Sequence, residues 1–176
     1  MCNVAVSGPE KALDDFLEKA RKGGTLLFGN IVPRPEALDI SSAANPDPEL
    51  QKENTEAFGY KNWYDWNVWM WGTKWDLDEK PDSDQFQREN RKAATFSFDT
   101  AWAPPIPFFT ACAERFPALE FALEYGEPGM CFAGRAEWAG GKLQSEADYP
   151  ERSVAYKRIC GWDDDDEEPD DDAATE

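Results

Sequence analysis

Carboxylates are the reactive groups this sequence supplies in quantity. Its 176 residues include 36 Asp or Glu, 18 Lys or Arg and no His, for a formal net charge of −18. The acids are unevenly placed. Asp163, Asp164, Asp165, Asp166, Glu167, Glu168, Asp170, Asp171 and Asp172, with Glu176, put ten acidic and no basic side chains in the last fourteen residues. An extended chain advances about 3.3–3.6 Å per residue, which spaces those charges roughly 5 Å apart. One DNA strand carries a phosphate every ~3.4 Å. The run is therefore a dilute electrostatic imitation of a nucleic-acid strand, suited to a basic protein surface; its plainer reading is a solubilising tail. Asp76, Asp78 and Glu79 form a second acidic group directly after Trp75 and are second candidates for partner contact. Their spacing lacks the glycine turn of an EF-hand loop, so no metal site is expected there. Asp99 and Thr100 precede a proline-started helix, where short polar side chains organise a junction through local hydrogen bonds.

Other chemistry is missing its parts. Without His there is no Ser-His-Asp triad, no His-ligated zinc and no imidazole base. Cys2, Cys112, Cys131 and Cys160 form no close pair in sequence and have no His to activate them. Cys112 and Cys131 fall in apolar patterns and read as inert core thiols. No phosphate-binding or dinucleotide fingerprint occurs, and no cofactor is expected. The acidic balance opposes direct binding to nucleic acid. No apolar run of about 20 residues suggests a membrane span, and no signal-peptide pattern opens the chain.

Aromatics supply the other unusual chemistry. There are eight Trp, five Tyr and 11 Phe, and aliphatic residues are scarce, so large rings must carry the core. Five Trp crowd into residues 63–75: Trp63, Trp66, Trp69, Trp71 and Trp75; Trp102 lies further on. At helical spacing Trp63, Trp66, Asn67 and Met70 share one face, Tyr64 and Trp71 a second, and Trp69 a third. A helix apolar nearly all round is expected to be buried. The functional alternative for these six tryptophans is an aromatic patch that anchors a protein or peptide.

The elements that must position these groups follow from periodicity. Residues 3–7 alternate as a strand, with Ser7 a cap for a helix carrying Ala12, Leu13, Phe16, Leu17 and Ala20 and ending at Gly23-Gly24. A short strand is expected over 25–28, an extended segment over 30–35, and a loop or weak helix over 41–54. The Trp-rich helix should run from about Tyr60 to Gly72. Residues 78–92 read as an exposed connection, 94–99 as a strand, and 103–116 as a helix closed by Pro117. Residues 119–125, 130–138 and 142–149 read as a strand meander, the last two joined by Gly140-Gly141. This order predicts an α+β fold: a ferredoxin-like antiparallel sheet, helices packed on one face, and an inserted Trp-rich helix. Residues 1–162 are expected to form that single domain, and 163–176 a disordered acidic tail.

MCNVAVSGP at the start, YKNWYDW and WGTKWD in the middle, then FDTAWAPPIP and YGEPGMCFAG resemble the YubB ferredoxin-like family carried by phages and plasmids. The resemblance implies a ferredoxin-like fold and a mobile-element origin, and it implies no chemistry. Joined to the charge, it suggests a non-enzymatic accessory protein in the cytoplasm of a bacterial host. Such a protein would bind a basic nucleic-acid-handling host protein through acidic surface, as a DNA-mimic inhibitor of a nuclease or CRISPR-type defence complex. The alternative is a protein- or peptide-binding module that uses the Trp-rich region, with the tail only for solubility.

Overall fold

The computed structural model describes residues 1–22, 24–41, 44, 46–78 and 85–161. Its centre is strand β1 (Cys2–Ser7), whose alternation sends Cys2, Val4 and Val6 into the core. Helix α1 (Glu10–Ala20) follows and buries Leu13, Phe16, Leu17 and Ala20 against that face. Its N-cap is Pro9, which has no side-chain cap bond, so Ser7 is not the cap the sequence suggests; it is the last residue of β1. The chain then makes a two-residue hairpin, β2 (Arg21–Lys22) and β3 (Thr25–Leu26). The strand expected over 25–28 stops at Leu26, because Phe28–Ile31 close a helical turn, α2.

A Glu36–Leu38 turn leads to α3 (Pro48–Phe58), capped by the Asp47 side chain and ended by Gly59 at φ 80°. Helix α4 (Trp63–Met70) starts three residues later than Tyr60, where the Asn62 side chain accepts from the Asp65 N–H. Strand β4 (Phe86–Asn90) lies in the segment read as a loop; as an exposed edge strand it has no inward-facing apolar series to betray it. Then come β5 (Ala93–Phe98), α5 (Ile106–Arg115), β6 (Glu120–Glu127), β7 (Phe132–Ala139) and β8 (Lys142–Asp148). Gly140 and Gly141, at φ 58° and 78°, make the tight turn expected between β7 and β8. A last helix, α6 (Val154–Cys160), is absent from the sequence reading; seven residues carry too little periodicity to register.

The six-stranded sheet has the order β4-β5-β1-β6-β7-β8, and every pairing is antiparallel. Within it, β1-α1-β4 and β5-α5-β6 are two interleaved split β-α-β units, the ferredoxin-like arrangement. Residues 21–78, with α2, α3 and α4, are inserted between α1 and β4, while β7 and β8 widen the sheet. α1 and α5 cover one face. α6 packs on the other, where Tyr156 and Ile159 meet Ala133.

Rings fill the core, as the composition requires. Phe16 makes edge-on contacts with Phe116 at 5.3 Å and Phe121 at 5.4 Å between centroids. Phe28 carries the insertion into the same core through Phe98, Phe108 and Trp71. Trp138 is fully buried, and its Nε1 donates to the Thr110 hydroxyl at 3.0 Å. Cys112 is a core thiol as expected, and burial pushes its pKa well up. Cys131 is exposed, because the chain turns there, one residue before β7 begins.

Candidate functional site

Trp71 fixes the centre of the insertion. Its indole N–H donates to the Val32 carbonyl at 2.9 Å and its ring packs edge-on against Trp66 at 5.4 Å. Gly72 follows at φ 83°, and a Cβ there would stand 2.7 Å from Pro107 Cδ and 2.9 Å from the Pro104 carbonyl. Only glycine lets α4 end this close to the proline run before α5. The Thr73 hydroxyl then donates to the Ala101 carbonyl at 3.0 Å, joining the segment that carries Trp75 to the one that carries Trp102.

Around Trp71 a polar chain organises a cleft. Asn67 donates to the Lys74 carbonyl at 2.7 Å and accepts from the Arg34 guanidinium at 2.9 Å. Arg34 also donates to Asp39 at 2.7 Å and lies 5.7 Å from the Trp71 ring centroid. Asp76 closes the opposite wall. One carboxylate oxygen accepts from the Phe28 and Leu77 N–H groups at 2.6 and 2.8 Å, the other from Gly29 at 2.8 Å. Burial pushes the Asp76 carboxyl above its ordinary value, while these donors and the Arg34 charge pull against it. The cleft encloses about 630 Å³ between Gly29, Pro33, Arg34, Asp39, Trp63, Asn67, Trp71, Trp75 and Asp76. Its walls offer ring faces, one paired guanidinium and carboxylates.

The six tryptophans divide. Trp66 and Trp71 are buried and Trp63 is half-buried. Trp69, Trp75 and Trp102 stand 72%, 54% and 75% exposed. The helix is therefore not buried all round: Trp69 and Val68 face solvent, because α4 lies on the rim of the core with one face covered. Trp102 sits at φ 72°, a left-handed conformation rare for a bulky residue. The Lys74 ammonium lies 4.4 Å from the Trp75 ring centroid.

The acidic candidates also divide. Asp76 is a structural acceptor for α2 and β3's outgoing chain rather than open acidic surface. Asp78 is exposed. Glu79 and the run from Asp163 to Asp172 lie outside the described residues. Thr100 organises its junction as expected, donating to the Ala103 carbonyl at 2.9 Å. Asp99 pairs with the N-terminal ammonium at 3.3 Å. Among the described residues no cluster of three or more His, Cys, Asp or Glu could hold a metal ion. Arg34 and Asp39 escaped the sequence reading. Arg34 stands between Pro33 and Pro35, where neither a period nor a motif marks a cation.

Residues 71–171 match the family described as the ferredoxin-like domain in Api92-like proteins. The chain belongs to this family. The match begins at Trp71, so it takes in Trp75, Asp76 and Trp102 and leaves out Arg34, Asp39 and Asn67. The crystal structure of a protein api92 from Yersinia pseudotuberculosis is similar at 18% identity and a TM-score of 0.43. The similarity covers 55% of this chain and 33% of that one, so this chain spans a third of that protein's length. No curated protein matches. No helix among the described residues is long and apolar enough to cross a membrane.

Proposed function

We propose that this Api92-like chain is a non-enzymatic binding protein whose partner is a basic, nucleic-acid-handling protein of a bacterial host. One observation carries the reading: Trp69, Trp75 and Trp102 are each more than half exposed on a chain of net charge −18. Exposed tryptophans have an anchor's chemistry, and Trp faces attract guanidinium and ammonium groups. The chain's net negative charge would speed the approach of a cationic partner and make it salt-sensitive. Lys74 already occupies one face of Trp75, a contact that a partner's Arg would reproduce.

The resemblance to the phage- and plasmid-borne YubB family supports a finer version: an accessory protein of a mobile element, acting in the host cytoplasm. In that version Asp163–Asp166, Glu167, Glu168 and Asp170–Asp172 imitate DNA and inhibit a defence nuclease or CRISPR-type complex. The competing version gives recognition to the tryptophans and leaves the acidic run to solubility. Immobilised protein, challenged with host lysate at low and high salt, separates them. A basic partner released by salt supports the proposal. Equal retention by a chain ending at Trp162 assigns the contact to the folded body, and loss assigns it to the acidic run. Retention of no basic protein by the full chain refutes the proposal.

A further inference from the structure

The cleft around Trp71 leaves one kind of chemistry unsatisfied. Its donors are largely spent within the wall: the Arg34 guanidinium donates to Asp39 and Asn67, and the Asn67 amide donates to the Lys74 carbonyl. Acceptors and ring faces remain. Asp39 receives Arg34 on one oxygen, and its second oxygen has no partner among the described residues. Asp76 Oδ2 takes one donor, the Gly29 N–H at 2.8 Å, and a carboxylate oxygen has room for a second. Trp63, half-buried, and Trp75, more than half exposed, border the same space. The charged lining residues are one cation, Arg34, and two anions, Asp39 and Asp76. An anionic ligand would meet both carboxylates, and the cation is already paired. Acceptor oxygens beside tryptophan faces suit a cation that carries N–H donors.

Two further features point the same way. The chain already seats a cation at this wall, because the Lys74 ammonium lies 4.4 Å from the Trp75 ring centroid. Gly29 keeps the cleft open. It stands in the helical turn α2 without a positive φ, so its backbone does not require glycine, and glycine weakens a helix relative to alanine. What it supplies is space: a Cβ there would stand 3.1 Å from Asp76 Oδ2 and 4.0 Å from Trp71 Cζ2. We propose that this cleft receives an arginine side chain of the basic partner, its guanidinium lying on the Trp75 ring in place of the Lys74 ammonium and donating to the open carboxylate oxygens. The inference rests on the binding reading above and adds to it the pocket and the residue type. Arginine fits better than lysine, because a guanidinium plane covers a ring while its fork of N–H groups donates to a carboxylate.

The test titrates the full chain with acetyl-Gly-Arg-Gly-amide and follows the indole N–H signals by NMR, assigned through single Trp→Phe variants. The control peptide carries citrulline, a neutral urea of the same shape. Saturable shifts of Trp63 and Trp75 are expected with arginine, and binding about tenfold weaker with citrulline. Gly29→Ala should weaken the arginine peptide by a similar factor, and Lys74→Met, which removes the competing cation, should tighten it severalfold. Equal binding of citrulline, or no saturable shift at about 10 mM, enough to fill most of a millimolar site, overturns the inference. Where Gly29→Ala disturbs the remaining spectrum, Lys74→Met decides: affinity unchanged or weakened overturns the displacement. A captured basic protein that binds Gly29→Ala as well as wild type, and is not displaced by the arginine peptide, overturns the cleft and leaves the broader reading standing. Peptide binding at Trp63 and Trp75 with no basic protein captured upholds the guanidinium site and refutes that reading.

Discussion

Asp76→Ala removes the acceptor for three backbone donors at once, those of Phe28, Gly29 and Leu77. These bonds hold the start of α2 against the segment that carries Trp75. Each bond contributes about 1 kcal/mol net, and a donor left without a partner costs as much or more. The loss is therefore about 3 kcal/mol, reduced where water reaches the half-buried site. With a urea slope of about 2 kcal/mol per molar, the unfolding midpoint falls by about 1.5 M. Asp76→Asn gives a graded control. Its remaining oxygen still accepts from Phe28 and Leu77, while its amide confronts the Gly29 N–H, so the loss should fall between wild type and alanine. Urea titration followed by tryptophan fluorescence reads both variants, because Trp71 and Trp75 border the same cleft. If Asp76→Ala unfolds within about 0.5 kcal/mol of wild type, a range typical of surface substitutions, the carboxylate does not organise this wall and the account of the cleft fails.

Gly72→Ala should cost about 2 kcal/mol or more, because it adds a side chain at φ 83° and drives a methyl into Pro107 and Pro104; calorimetry that finds the melting temperature unchanged would refute the close approach. Glu124 accepts from Arg158 at 2.8 Å and Arg135 at 3.0 Å, and these partners, Arg158 foremost, hold its carboxyl below the ordinary glutamate range. A depressed carboxyl stabilises the fold above its unfolded pKa and loses that contribution as pH falls through its folded value. Stability should therefore drop as pH falls below the ordinary glutamate range, about 4.3, and Glu124→Gln should flatten that part of the curve. Iodide or acrylamide should quench part of the tryptophan emission readily, from Trp69, Trp75 and Trp102, and leave a blue-shifted remainder from Trp66, Trp71 and Trp138. A single, uniformly protected emission would remove the exposed anchors.

The ferredoxin-like core was legible because each part announces itself locally. Val4 and Val6 alternate, Leu13, Phe16, Leu17 and Ala20 recur at helical spacing, and Gly140-Gly141 marks its hairpin. β4 was hidden because Phe86–Asn90 is an edge strand with charged, exposed positions. α6 was hidden because four aromatic or aliphatic positions in seven residues set no period. The tryptophans show where composition stops informing. Ring content requires an aromatic core, yet nothing in WYDWNVWM says which rings turn outward. That depends on where the insertion rests on the core, through Phe28 and Trp71. The polar side of the cleft was illegible for a related reason: Arg34, Asp39 and Asn67 are assembled by hydrogen bonds across the insertion, and no spacing encodes such bonds.

Recognition of a cationic protein by exposed tryptophans under a negative field is tested most directly by association kinetics. The captured partner is mixed with the chain across a range of ionic strength, and the association rate is recorded for wild type and for Trp75→Ala with Trp102→Ala. The account predicts a rate that falls steeply with salt in both proteins, and a dissociation rate raised at least tenfold in the double variant, about 1.4 kcal/mol of lost contact. An association rate indifferent to salt, with dissociation unchanged by losing both rings, would contradict it.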